Sequence, residues 1–504
     1  PEMARLPVLL ATVLAAGGCA VVGPDYVRPA IDAPAAWRVS PEQGEALANT
    51  AWWSALGDPV LDGLIRTALE NNRDVRIAAE RVLEFAARVD VTRAGTYPQL
   101  GYEGAGARGR SIVPGVGGAT GNSFAANLNV GWELDVWGRI QRATEAARAN
   151  LLAAEEVRRS VILTLVSTVA SSYVRLLTLD DQLGIARKTV DSRAKSLALF
   201  DLQFEGGIVS ELEVAQVRSE YELAQTRIPE IERQIARLEN ALSVLLGRNP
   251  GPVTRGRSSD TLALPPVPAG VPSDLLERRP DIRAAEQQLI AANALIGVAR
   301  AQYFPRISLT GLFGYASDDL SDLLQDSSNV WSAGGGLLGP IFDGGRIAGD
   351  VRATEAAQRQ AVLNYQNAIL TALREVDDAL IDHRKTREIV AAQERQLDAL
   401  RTYAEFANLR YDEGQVSYIE VLDAERRLFD AELTNAVSSG DVFIALIDVY
   451  KAMGGGWVEL AEQTANAVDF PPSGDAARGG PLAPQATQPA ALRRGESTDA
   501  PTPR

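Results

Sequence analysis

YDEGQVSYIEVLDAERRLF, residues 411–429, decides the fold once it is laid on FEGGIVSELEVAQVRSEYE, residues 204–222. Superposing Gly414 on Gly207 brings Tyr411 onto Phe204, Val416 onto Val209, Ser417 onto Ser210, Glu420 onto Glu213 and Val421 onto Val214, a shift of 207 residues. Each copy reads as a tight glycine turn joining a very long helix to a shorter one. The chain is therefore a tandem duplication of a helical hairpin, with tips near 206–210 and 413–417.

Upstream of each turn the long helix is legible. From Arg139 to Phe204 there is no proline and Gly184 is the only interior glycine. Ile162, Val166, Val169, Tyr173, Leu176, Leu183, Val190 and Leu197 keep the 3-4 spacing of a coiled-coil seam. The seam recurs 207 residues later as Ile369, Leu373, Val376, Leu380, His383, Val390, Leu397 and Ala404, apolar except at His383. Helices of this length, about 100 Å at 1.5 Å per residue, cannot bury such seams inside a globule and need neighbours of equal length. The return helices are expected over Ser210–Leu246 and Ser417–Met453, with Pro229 kinking the first.

Ahead of the long helices the period changes from helix to strand. Ala126, Leu128, Val130, Trp132, Leu134 and Val136 alternate with Asn127, Asn129, Gly131, Glu133 and Asp135. That pattern marks a strand apolar on one face and wet on the other, at the 9–11 residue length of a transmembrane β-strand. Strand pairs are expected at about 97–107 and 124–137, and again at about 304–315 and 330–343. The stretch with Pro114, Gly115, Gly117, Gly118 and Gly121 reads as an outside loop. Tyr97-Pro98 and Gly138-Arg139 recur as Phe304-Pro305 and Gly345-Arg346. Repeat 1 spans 61–248 and repeat 2 spans 274–456, joined by a Pro-rich connector at 249–273. The helix opening repeat 1 starts at the Asp58-Pro59 cap, with Leu61, Leu64, Ile65 and Leu69 on one face. Four strands cannot close a barrel, and bacterial barrels start at eight. An open sheet in lipid leaves unpaired edges, so several copies must share one barrel, two giving eight strands and three giving twelve.

The flanks carry further information. MARLPVLLATVLAAGGC reads as a secretion signal at 1–18 that ends at Cys19, the sole cysteine of the chain. It resembles a lipobox, with Ala16 standing where Leu is usual, so Cys19 is the expected lipidation site. Residues 19–60, including VGPDYVRPAIDAPAAW, read as an extended segment, 457–470 as a C-terminal equatorial segment and 471–504 as a low-complexity disordered tail. A net charge of −15 argues against nucleic acid as a partner. One histidine and one cysteine make a metal site improbable, and no cofactor motif is present.

Together the lipobox, VGPDYVRP, WW-x-x-L-x-DP, the tandem repeat and the turn YDEG-x-V-S-Y-I-E-V-L-D-A resemble the TolC-like outer-membrane efflux factors, nearest the lipidated NodT or OprM-like subgroup. The resemblance runs from about Cys19 to Trp457. It implies an α+β membrane protein: a homotrimer whose twelve-stranded transmembrane β-barrel continues as a periplasmic α-helical barrel. It also implies a lipid-anchored place in the outer membrane, a periplasmic adaptor and an inner-membrane, proton-driven pump as partners, and no enzymatic activity. By the same resemblance Glu420, Asp423 and Tyr411 match the family's gate, with Glu213 the duplicate of Glu420. A family gate arginine after the turn glycine is replaced by Val416. The hairpin tips, Gly207, Val209, Ser210, Gly414, Val416 and Ser417, are where an adaptor would touch. Two competing readings are a duct for secreted polypeptides, as in type I secretion, and a periplasmic coiled-coil adaptor without a pore.

Overall fold

A computed structural model describes residues 21–31, 34, 36–38, 51–113, 117–267, 272–454, 458 and 461–462. The signal segment, Cys19, the tail and nearly all of 457–470 lie outside the described residues. In chain order the elements are α1 (Pro59–Asn71), α2 (Arg73–Ala94), β1 (Gln99–Val113), β2 (Gly117–Leu134), α3 (Arg139–Glu205), α4 (Glu211–Leu245), α5 (Pro280–Ala301), β3 (Arg306–Ser317), β4 (Asn329–Leu338), α6 (Arg346–Asp412) and α7 (Tyr418–Ala452). Short helical turns precede α1 and α5. Counterpart helices α2 and α5, α3 and α6, and α4 and α7 begin and end 207 residues apart.

The four strands form one antiparallel meander in the order β1-β2-β3-β4. Strand ends differ from the sequence expectation. β1 and β3 start at Gln99 and Arg306, not at 97 and 304, because Pro98 and Pro305 cannot donate to a ladder. At the far end β1 runs on to Val113 and β2 begins at Gly117, so most of the glycine-rich stretch expected as a loop is paired strand. Ladder bonds are made by backbone and need no side chains, so glycine does not by itself end a ribbon. β2 stops at Leu134, short of 137, because the Asp135 carboxylate turns to accept the Ile140 and Gln141 amides and caps α3. β4 stops at Leu338, short of 343, where Gly339-Pro340 follows. The opening helix is likewise two helices. Asn72 breaks it, capping α2 through the Asp74 and Val75 amides while its own amide holds the Leu245 carbonyl.

α3 and α6 each contain 67 residues. α3 packs on α2, α4, α5 and α7, and α6 on α5 and α7. Seam residues Ile162, Val166, Val169, Tyr173 and Leu176 are buried, as are Ile369, Val376, Leu380, His383, Leu397 and Ala404. α3 is apolar enough to cross a membrane by composition, but that stretch forms the core under α1, α4 and α7. α4 runs through Pro229 without interruption.

Two buried polar clasps tie the flanking segments to this frame. Asp58 caps α1 through Val60 N–H, accepts the Tyr173 hydroxyl at 2.7 Å and accepts Arg257 N–H at 3.0 Å. The connector thus closes over the first repeat, and Trp52 stacks on Tyr450 of α7 at 5.1 Å. The VGPDYVRP segment lies along α5. Tyr26 donates to Glu286, Arg28 pairs with Glu277 and Glu286, and Asn293 donates to the Pro24 carbonyl. Buried Arg142 reaches Asp25 at 2.7 Å, while Gly23, at φ +109°, comes so close that a Cβ there would lie 2.5 Å from Gly297 Cα.

Candidate periplasmic gate and channel surface

Register sorts the sheet into two faces. Leu100, Tyr102, Leu128, Val130, Trp132, Leu134, Ile307, Leu309, Phe313, Trp331 and Leu337 share one face, with Tyr102, Phe313 and Trp331 at 89%, 56% and 74% exposure. Gln99, Glu103, Asn127, Asn129, Glu133, Ser308, Thr310 and Ser332 share the other. An exposed aromatic and aliphatic face backed by a small polar face is the division of a barrel wall between lipid and lumen. The β1 and β4 edges have no partner strand among the described residues.

Far along the long helices, the two hairpin tips share one backbone solution. Gly207 and Gly414 stand at φ +72° and +71°, a left-handed conformation that a side chain resists. Ile208 N–H returns to the Gln203 carbonyl and Gln415 N–H to the Arg410 carbonyl, the bonds of a Schellman-type stop. Ser210 and Ser417 then cap α4 and α7.

Their side chains have diverged. Glu213 turns back on its own cap, accepting Ser210 N–H at 2.7 Å and the Ser210 hydroxyl at 3.0 Å. Its duplicate Glu420 faces Arg410 across the turn at 3.6 Å. Asp423 holds Arg426 at 3.0 Å and Arg427 at 2.8 Å. The two carboxylates that match the family's gate, Glu420 and Asp423, are therefore interleaved with three arginines, and the tip is a mixed-charge surface. Arg426 and Arg427 were legible from their i+3 and i+4 spacing. Arg410 was not, because it meets Glu420 only through the turn geometry. Val416 stands past the turn glycine, and an arginine reaches Glu420 from the preceding helix instead.

Tyr411 is joined by two aromatics that sequence reading did not single out. It packs edge-on to Tyr418 at 4.9 Å and stacks near Phe200 at 6.3 Å, and Phe200 meets Tyr418 at 4.3 Å. Phe200 belongs to the first hairpin and both tyrosines to the second, so the cluster binds hairpin to hairpin. Burial pushes the Tyr411 hydroxyl up, and the nearby charges of Glu213 and Asp412 push the same way. Above this cluster, buried Arg193 of α3 donates to the Glu220 carbonyl of α4 and lies over the Phe429 ring of α7 at 5.3 Å. Burial raises the Glu425 carboxyl and the Arg193 charge opposes that rise. Val209 and Val416 are half-buried, whereas Gly207, Ser210, Gly414 and Ser417 are exposed.

A lipid-type sheet continued by hairpins of this length defines a membrane channel component. A family model described as "Outer membrane efflux protein" matches residues 64–248 and 271–455, and the chain belongs to that family. It is 38% identical over 449 residues to the cation efflux system protein CusC of Escherichia coli O6:H1, covering 88% of this chain and 97% of the relative. It is also 38% identical over 458 residues to the solvent efflux pump outer membrane protein SrpC of Pseudomonas putida, again covering 88% and 97%. Among solved structures, CusC superposes with a TM-score of 0.78 at 37% identity, covering 86% of this chain and 99% of that one. The CmeC outer membrane channel of Campylobacter jejuni gives 0.83 at 25% identity, covering 89% and 99%. The fold class is therefore the one expected: duplicated strand pairs and long helical hairpins of a trimeric, outer-membrane efflux channel with a long periplasmic portion.

Proposed function

We propose that three copies of this chain form the passive exit duct of a tripartite system for drugs or other small solutes, opened by a periplasmic adaptor and a proton-driven inner-membrane pump. The observation that carries this reading is the four-stranded sheet with one exposed apolar face and two open edges, continuous with helices about 100 Å long. Each open edge in lipid would cost several kcal/mol per unpaired group, a cost that ring closure removes. Relatives are named for efflux of cations, solvents, toluene and antibiotics. Such varied cargoes among relatives support a duct that leaves substrate choice to the pump.

Tyr411, Glu420 and Asp423 form the gate in this reading, and Glu213 contributes as the cap that holds the outer tip. Opening requires the second hairpin to part from the first, against the Phe200–Tyr411–Tyr418 cluster and the Arg193 network. Exposed Ile208, Leu212 and Ile419 around the tips suit an apolar adaptor contact. Acylation at Cys19 anchors the assembly to the outer membrane.

Detergent-extracted protein should run as a heat-sensitive trimer, and gene deletion should raise drug accumulation; a monomer soluble without detergent would overturn the duct. At the gate, E420A/D423A strips the carboxylates from Arg410, Arg426 and Arg427, so cation selectivity in single-channel recordings should fall. Unchanged selectivity would remove the gate assignment. Metabolic labelling with palmitate that persists in C19A would remove the acylation site.

A further inference from the structure

At the end of the sheet nearest the long helices lies a cavity of about 540 Å³, lined by Arg139, Arg306 and Arg346 together with Gln302, Phe304 and Leu338. Three different elements supply the arginines. Arg139 and Arg346 are the first residues of α3 and α6, placed by the positive-φ glycines Gly138 and Gly345. Arg306 opens β3 opposite Leu338 of β4. Its register puts it on the polar face with Ser308, Thr310, Asn129 and Glu133, the face turned to the lumen in a closed barrel.

The arginines are not equally committed. Arg139 pairs with Glu133 at 2.9 Å, and Arg346 with Asp350 at 3.1 Å and with Gln302 at 3.1 Å. The Arg306 side chain is exposed, and its guanidinium has no hydrogen-bond or ion-pair partner among the described residues. The remaining acid of that sheet face, Glu103, aligns through Asn127 with Gly314, eight residues along β3 from Arg306. At about 3.4 Å per residue it lies roughly 27 Å away, several Debye lengths at physiological salt. In the first repeat the counterpart of Arg306 is Gln99, which spends its amide on the Ala94 and Tyr97 carbonyls. The uncommitted charge is thus particular to the second repeat, and threefold closure would set three such guanidinium groups around the lumen at one level.

Resting on the duct reading, we infer that the junction of barrel and helical tunnel carries a lumenal anion site, built on Arg306 and flanked by Arg139 and Arg346, for carboxylate- or phosphate-bearing solutes. Guanidinium forks match the planar and tetrahedral oxygens of those groups, and a low-dielectric wall concentrates their field. A chain of net charge −15 would then present different surfaces at its two ends. Acidic and basic groups interleave at the tips, and an unpaired cation stands where the barrel begins.

The test uses full-length trimer in planar bilayers, with inorganic tripolyphosphate on the barrel side and spermine on the tip side. Tripolyphosphate should reduce wild-type conductance. R306Q, which installs the first repeat's residue, should raise its half-blocking concentration roughly tenfold or more, the loss of a charge-assisted contact in each copy. R306K should fall between the two, and the spermine response should be the same in all three proteins. Absence of tripolyphosphate block in the wild type, or equal block in R306Q, overturns the site while leaving the duct intact. A wild-type trimer that conducts no ions overturns the duct and the site together. If R306Q fails to trimerise, the wild-type response and R306K still decide.

Discussion

The two repeats agree in backbone and disagree in what their side chains hold. Helix ends coincide at a spacing of 207 residues, and the turn glycines differ by one degree in φ. Yet Tyr173, which fastens Asp58 and the connector, has Leu380 as its duplicate, and buried Arg142, which fastens the N-terminal segment, has Gly349. Glu213 caps its own helix where Glu420 meets an arginine. β1 and β2 have 15 and 18 residues against 12 and 10 in β3 and β4. The first repeat holds the connector through Tyr173 and shares the N-terminal segment with α5 of the second, and the second carries the tyrosines and ion pairs of the tip. Duplication copies a periodic pattern and its stop signals, which fix helices locally. It does not copy environment, because each copy meets different neighbours.

Five substitutions probe that division, beginning with the largest effect. D58A should cost about 3 kcal/mol, because it strands the Tyr173 hydroxyl and two backbone amides in a buried site. Thermal melting of the trimer measures it, and since Leu380 stands in the second repeat where Tyr173 does in the first, a loss under 1 kcal/mol would undo the asymmetry. G207A and G414A should each cost about 1–2 kcal/mol, since both glycines sit in the left-handed region with open space around them. Equal losses confirm that the tips share one backbone solution; unequal ones break it. E213A should cost about 1 kcal/mol as a lost cap and leave ion selectivity in place. A selectivity change as large as that of E420A would instead make the duplicates equivalent.

The smallest effect concerns His383, whose counterpart is Leu176. Burial lowers the imidazole pKa, with Arg387 pushing the same way and a bond to the Val442 backbone opposing it. The folded state therefore takes up this proton less readily than the unfolded chain. Stability from the neutral ring is full above 6.5 and is lost as pH falls from there toward the lower folded value. Melting curves at pH 7.5 and 5.5 should show that loss in the wild type and its reduction in H383L.

Much of this was legible beforehand. Seam residues, turn glycines, the Asp58 cap and the strand alternation each rest on a period or stop signal a few residues long, so the hairpin helices emerged to within a residue, while the break at Asn72 did not. Strand ends did not, because a ladder ends where its partner strand or a proline ends it, and Gly117 to Gly121 pair in spite of their composition.

By itself the sequence determined the repeat, the hairpins, the lipid-length strands and the need for companions, since these follow from spacing along one chain. Only the tertiary structure decided that Glu213 caps while Glu420 pairs with Arg410, that Phe200 reaches Tyr411 and Tyr418, and that Arg306 stands uncommitted beside Arg139 and Arg346. Those pairings join residues from separate helices and strands. Their distances depend on how the elements pack, which no local pattern encodes.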